Sequence, residues 1–227
     1  MAKFTQLSLN RYVEELSSDQ PVPGGGSVSA YVATLAMGLS QMVSRIALKR
    51  KKKEGLSSEA EKEETQRRKT LEDIIQSLEK VKQDALQIVD LDPEIYQEVM
   101  AVWGDENKME DALQNSFRLQ ADLTFLIVMA HEWNAHLAHL VQGSIKNDLL
   151  VSAALLKGAF QGAYHTAMIN AHYMKKSGNK ERAEKALDEL KTRFEKEPAH
   201  SGGAPGSPRG SEAVPDRGYR PRAGGRA

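Results

Sequence analysis

Pro21-Val22-Pro23-Gly24-Gly25-Gly26-Ser27, followed from Val28 by a long apolar pattern of helical period, is the stretch on which the fold and the function of this chain turn. Two prolines stiffen the approach, and three glycines allow backbone conformations, φ > 0 among them, that a Cβ resists. Ser27 suits the N-cap of the helix that follows. A helix start behind bare glycines points free N–H groups at one spot, where the helix dipole also favours negative charge. The turn is therefore a candidate seat for a carboxylate or a phosphate. It is no Walker loop, because no Gly-Lys-Ser/Thr follows, and it lacks both the G-x-G-x-x-G spacing and the strand of a dinucleotide fold. The alternative is a tight turn that lets two helices pack closely.

Outward from this turn the chain reads as helices. Upstream, Leu9, Tyr12, Val13 and Leu16 fall on one face behind a Ser8 cap, and Ser17-Ser18-Asp19 ends that helix. Downstream, Val28, Tyr31, Val32, Leu35, Leu39, Met42, Val43 and Ile46 give a broad apolar face to a helix from about Ser27 to Lys53. Ala30, Ala33, Ala36, Gly38 and Ser40 fill most of its remaining circumference, which predicts a central helix with neighbours on several sides. Gly55-Leu56-Ser57-Ser58 is a turn with Ser58 as cap. A charged helix with a Leu71, Ile74, Ile75, Leu78, Val81, Ala85, Ile88 and Val89 stripe follows. Asp92-Pro93 predicts a fresh helix start running to about Trp103, with Asp92 as its cap. Gly104 breaks the pattern again. Two long helices follow, about Lys108 to Val141 and Asn147 to Lys176, with Gly143 between them as a left-handed stop. The second is dense in Ala and Gly, a composition for close helix–helix contact. A last charged helix covers about Asn179 to Glu197.

No stretch has a strand period, so the chain is predicted to be all-α. The expected architecture is a bundle of long helices at residues 1–197, with the glycine-rich loop before its central helix. Residues 198–227 form a tail of Gly, Pro, Arg and Ser without periodicity, expected to be disordered. The formal net charge of zero argues against a general nucleic-acid binder, although the tail arginines Arg209, Arg217, Arg220, Arg222 and Arg226 offer a remote alternative of a basic-tailed adaptor. The absence of cysteine removes disulfides and thiolate metal sites. With no signal-peptide core and no membrane-length apolar run, the expectation is a soluble cytoplasmic protein.

Candidate chemistry starts with histidine. His131-Glu132 invites comparison with H-E-x-x-H, but His136 follows at i+5, well around the helix at about 100° per residue, so a metalloprotease site fails. His136 and His139 lack a carboxylate or Cys beside them, and no metal is expected. His165 and His172 share a face and are pocket candidates. Among carboxylates, capping explains Asp92 and Asn147 well and Asp90 and Asp148 less well, which leaves these two as candidate general bases. The basic run Lys49-Arg50-Lys51-Lys52-Lys53 offsets a helix C-terminus or receives an anionic ligand.

Taken together, Pro23-Gly24-Gly25-Gly26-Ser27-Val28, Met42-Val43, Asp90-x-Asp92-x-x-x-Tyr96-x-x-Val99-Met100, Asp148, Ala153-Ala154 and Ile169-Asn170 resemble the cyclodeaminase/cyclohydrolase family over about Leu7 to Ala171. This family includes the C-terminal domain of formiminotransferase-cyclodeaminase and free-standing methenyltetrahydrofolate cyclohydrolases. The resemblance implies a helical homodimer that binds a reduced folate and needs no cofactor beyond it. Because no formiminotransferase domain is present in this sequence, the free-standing cyclohydrolases are the nearer analogy, and the expected reaction is hydrolysis of 5,10-methenyltetrahydrofolate to 10-formyltetrahydrofolate. The alternatives are a formiminotetrahydrofolate cyclodeaminase and a non-catalytic binding or scaffold protein of the same fold. The residues implied are Gly24, Gly25, Gly26 and Ser27 as ligand loop and Asp90 and Asp148 as reacting carboxylates, with Lys51 on the glutamate tail and His165 and Asn170 as further substrate contacts. The chain departs from the family pattern at Arg45–Arg50, at Gly143–Asn147 and at His165, all polar, pocket-type positions.

Overall fold

The computed structural model describes residues 3–50, 55 and 57–196. Among these the chain forms a 3-10 turn at Phe4–Gln6 and six α-helices: α1 (Leu9–Leu16), α2 (Gly25–Lys49), α3 (Ser58–Ala101), α4 (Glu106–Leu140), α5 (Lys146–Tyr173) and α6 (Ser177–Glu195). The all-α expectation holds for these residues. The expected tail and Lys51 lie outside them.

Helices α2 to α5 form an up-down-up-down bundle. Gly26 of α2 sits beside Asp92 of α3 and Gln120 of α4. One bundle length away Gln41 donates to Glu79 of α3 and Asn134 of α4 donates to Ser40. Helix α2 is thus antiparallel to α3 and parallel to α4. Its Ser29 faces Gly162 and its Ser40 faces Ser152, so α5 descends beside it. Helix α6 lies along α4 and α5. Glu110 accepts from the Lys175 N–H and from Asn179 Nδ2 at its start. At its end Arg193 makes a two-pronged contact with Glu132, and Phe194 stacks on Phe160 at 4.0 Å.

Small residues decide how closely these helices approach. Ala30, Ala33 and Ala36 are fully buried on α2, with Ala163 and Ala167 on α5. A polar chain also crosses the core: Asn134 Nδ2 donates to Ser40 Oγ at 2.9 Å, Ser40 meets Ser152 Oγ at 2.9 Å, and Ser152 donates to the Ala36 carbonyl at 2.8 Å. Every member is satisfied, so this layer fixes the register of three helices without leaving a buried donor unmet.

Three boundaries differ from those expected. Helix α2 begins at Gly25 with an extended Gly24 as its N-cap, so Ser27 lies inside the first turn. Ser57, not Ser58, caps α3 and accepts from the Ala60 N–H. Most consequentially, α3 does not restart at Asp92-Pro93. It is one continuous helix with Pro93 inside it. Gly143, at φ +85°, takes the left-handed conformation expected between α4 and α5.

Candidate functional site

Pro93 has no N–H, so the carbonyl four residues earlier, that of Val89, is deprived of its helical donor. Ser27 supplies the replacement: its Oγ–H donates to Val89 O at 2.9 Å. With that hydrogen committed, the Tyr12 hydroxyl is the donor in its 3.1 Å contact with Ser27 Oγ. The serine thus bridges α1, α2 and α3 and repairs the proline break, a role that capping its own helix would not give it.

The same turn of α3 aims Asp92 at the start of α2. Asp92 Oδ2 accepts from the Ser27 N–H at 2.9 Å, and Oδ1 accepts from Gln120 Nε2 at 2.7 Å. The anion seat read from the glycine turn is therefore taken by a carboxylate of the chain itself, and Asp92 caps α2 across the bundle. The glycines serve clearance more than turn geometry, since none of Gly24, Gly25 and Gly26 has a positive φ. A Cβ on Gly26 would run into Asp92 Oδ1 and Gln120 Nε2, and would stand 2.7 Å from Asp92 Cγ.

Burial pushes the Asp92 carboxyl up to about 6 from an ordinary 3.8, against the opposing pull of the Ser27 N–H and the Gln120 amide. A carboxyl in that range exchanges protons near neutrality, as a general acid or base must.

The other expected site residues divide by position. Asp90, one side of α3 away, accepts from the Thr5 N–H at 3.1 Å and the Thr5 hydroxyl at 2.6 Å, and so moors the N-terminal 3-10 turn. Asn170 and His165 lie near the glycine turn, because Thr166 of the same helix stands 3.7 Å from a Cβ built on Gly25. Asn170 Nδ2 donates to the Thr166 carbonyl, and His165 is exposed. Asp148 is at the far end: on the single helix α5, at about 1.5 Å rise per residue, it stands roughly 27 Å from Thr166. Within one chain the glycine turn and Asp148 do not share a cleft, although the family resemblance implies both as parts of one site. His131 is packed against Phe194 with ring centroids 4.4 Å apart, a core contact.

Sequence reasoning missed Gln120, although a fully buried glutamine on the apolar stripe of α4 is a readable signal. It also missed the exposed rim of this end of the bundle, where Tyr96 and Met100 lie one and two turns beyond Asp92 and Trp103 meets Tyr173 of α5 at 5.4 Å.

A family model described as formiminotransferase-cyclodeaminase matches residues 8–189. The chain belongs to the formiminotransferase-cyclodeaminase family. Formimidoyltransferase-cyclodeaminase of Mus musculus is 28% identical over an alignment of 194 residues that covers 81% of this chain and 34% of that protein. The Rattus norvegicus protein of the same name is 28% identical over an alignment of 200 residues that covers 82% of this chain and 35% of that one. The chain thus spans about a third of the length of these relatives. Among solved structures, formiminotetrahydrofolate cyclodeaminase from Thermotoga maritima superposes with a TM-score of 0.74 at 21% identity, covering 84% of this chain and 91% of that one. At that identity the likeness establishes the shared helical fold. All residues of the Asp92 constellation, Tyr12, Gly26, Ser27, Val89 and Gln120 included, fall inside the family match. Among the described residues no helix is long and apolar enough to cross a membrane.

Proposed function

We propose that this chain acts on the one-carbon bridge between N5 and N10 of a tetrahydrofolate, closing it with loss of ammonia from a formimino group. The observation that carries the reading is the Asp92 carboxyl, poised at about 6 against the N-terminus of α2, in a chain whose relatives are named cyclodeaminases. In the forward step N10 bonds to the formimino carbon, that carbon's bond to the exocyclic nitrogen breaks, and one added proton balances release of ammonia and the methenyl cation. Asp92 supplies a proton to the leaving nitrogen and its carboxylate balances the cation left behind. The carbon keeps its oxidation state, so the reaction calls for no redox cofactor beyond the folate itself.

Hydrolysis of 5,10-methenyltetrahydrofolate to 10-formyltetrahydrofolate is the second reading, favoured by the same carboxyl in its ionised form. Water adds its oxygen to the bridge carbon, the N5 bond breaks, and one proton is released, with Asp92 as base. Supplying both folates to the purified protein separates the two. Ammonia release with growth of methenyl absorbance supports cyclodeamination, and accelerated loss of that absorbance supports hydrolysis. Neither rate above buffer, with no folate binding by calorimetry, removes both and leaves the scaffold alternative.

The protein works, in this proposal, as a homodimer through α2 and α5. Leu35, Met42 and Ile46 of α2 and Leu150, Val151 and Ile169 of α5 are exposed, Leu150 to 69%, along the open side of the bundle. A Cβ on Gly38 or Gly158 would meet nothing within 4 Å, so their own chain does not require them to be glycine. An apolar surface of this extent with glycines set into it suits a second copy in close approach. A two-fold axis perpendicular to the helices would carry the partner's Asp148 to this subunit's glycine turn. Mixing Asp92→Asn and Asp148→Asn proteins tests it: an equimolar mixture is expected to recover about a quarter of the parental rate, since about half of its dimers are hybrids and each hybrid keeps one of its two sites intact, whereas no recovery above either variant alone argues against a shared site.

A further inference from the structure

We infer that Gln120 is a positioning residue that holds Asp92 in both of its protonation states by turning its side-chain amide over. Gln120 is fully buried, and Asp92 is the partner of its Nε2. Its Oε1 is likewise buried and meets no donor. An amide whose acceptor is idle beside a carboxyl matches only half of that carboxyl's chemistry. While Asp92 is ionised it accepts on both oxygens, from Ser27 N–H and Gln120 Nε2. Once it takes up a proton, the new O–H needs an acceptor, and a donor N–H pointing at it is the wrong partner. Rotation about the broad, roughly two-fold terminal torsion of glutamine exchanges Nε2 for Oε1 at the same place. The proton then sits on Oδ1 held by Oε1, while Oδ2 keeps the Ser27 N–H. Gly26 leaves the room for this exchange, since its missing Cβ is what separates the two side chains from α2.

Among the described residues, the Gln120 amide is the side chain that hydrogen-bonds the Asp92 carboxyl, beside the Ser27 backbone N–H. Helix α1 contributes the neutral phenol of Tyr12 through Ser27, α2 contributes Gly26 and the Ser27 N–H, and α4 contributes Gln120. No charged side chain shares in its shift, which burial raises and these two hydrogen bonds restrain. Gln120→Met removes both the Nε2 donor of the ionised form and the Oε1 acceptor of the protonated form; the charge-assisted bond is the stronger of the two, so its loss dominates and the ionisation midpoint rises.

This inference rests on the reading of Asp92 as the working carboxyl but is tested without any folate. The full chain, labelled for carbonyl carbon and side-chain nitrogen, is titrated by NMR from pH 4 to pH 8. The Asp92 carboxyl and the Gln120 amide are expected to shift with one common midpoint. In Gln120→Met the Asp92 midpoint is expected to rise by about one unit, a tenfold change in its ionisation constant. In Gln120→Glu two carboxyls share the place, and two coupled steps separated by more than about one unit are expected. An amide signal that ignores pH across the Asp92 midpoint overturns the turnover of the amide. An unmoved midpoint in a folded Gln120→Met overturns the positioning role, and should that variant not fold, a single unshifted step in Gln120→Glu does so. Titrations that behave as expected in a protein inert towards both folates would leave Gln120 assigned and the functional reading lost.

Discussion

Helix α3 caps its neighbours at both of its ends, and the two ends do so with opposite electrostatics. Near its start Arg68 donates to the Leu48 and Arg50 carbonyls that finish α2, and Arg67 donates to the Leu140 carbonyl that finishes α4. Glu64 binds both guanidiniums, at 2.7 Å and 2.8 Å. Arg50 in turn donates to Gln142 O at 2.6 Å. Cations thus meet the negative ends of two helices and are themselves held by an anion. Near the other end of α3, Asp92 meets the positive end of α2 with no cation among the described residues paired to it. Glu64 is drawn down to about 2 by its arginines, whereas Asp92 is pushed up to about 6 by burial. A compensated carboxylate is fixed in one state over the whole physiological range. An uncompensated one in a buried place is left free to change state, which equips that end of the bundle for proton transfer.

The strongest way to break this contrast is Asp92→Asn. Loss of a general acid or base is expected to lower turnover by about 10²- to 10⁴-fold. Stability is expected to move the other way. The folded-state value of Asp92 lies above its ordinary 3.8, so its contribution is fully present below that value and lost as pH rises through about 6. Asparagine cannot ionise, and above pH 6 the variant is expected to be more stable than the parent by up to about 3 kcal/mol. Urea unfolding at pH 5 and pH 8 measures both arms. A variant that is inactive and also less stable at pH 8 would show that Asp92 is a structural cap like Glu64.

Gly26→Ala attacks the same end without replacing a titrating group. Its Cβ would displace the Asp92 carboxyl and the Gln120 amide, both packed between helices, and overpacking of this kind is expected to cost about 1–3 kcal/mol. Turnover is expected to fall with it, and the Asp92 midpoint to move. The matching change at Gly38, in the open face of α2, meets nothing in its own chain. Gly38→Ala is therefore expected to keep monomer stability and to weaken only self-association, read by sedimentation against concentration.

The helices were legible in the sequence because most of them are long, and Gly143 marked a break through its left-handed backbone. The glycine turn was legible as important, but the reason was not. Its glycines make room for Asp92 and Gln120, residues far away in sequence, rather than for φ > 0. The same distance hid the continuity of α3. Asp92-Pro93 has every local mark of a helix start, and what overrides it is a hydroxyl of α2 that reaches the carbonyl Pro93 left unpaired. Asp90 and Asp92, two residues apart, cannot be told apart by propensity. Their turn of the helix sends one to Thr5 and the other to Ser27. Gln120 was the readable signal passed over, a polar residue where the stripe of Leu113, Phe117 and Ile127 calls for an apolar one.

The smallest effect is expected at the other end, with Glu64→Gln. Glu64 lies well below its ordinary 4.5 because Arg67 and Arg68 hydrogen-bond to its ionised form. Its contribution is present above pH 4.5 and lost as pH falls through about 2, the reverse of Asp92. Its side chain is one-fifth exposed, and the paired arginines are similarly placed, so solvent screens the cluster. The variant is expected to lose about 1 kcal/mol at pH 7 and much less at pH 2, where about half of the parent's carboxyl is already protonated. Both arginines would keep their carbonyl acceptors, so the helix ends should stay closed. Turnover should be unchanged, because Glu64 bonds to Arg67 and Arg68 and its loss leaves their carbonyl contacts at the helix ends in place. Equal losses of stability at pH 7 and pH 2 would mean that packing rather than charge holds this end, and the electrostatic contrast along α3 would reduce to Asp92 alone.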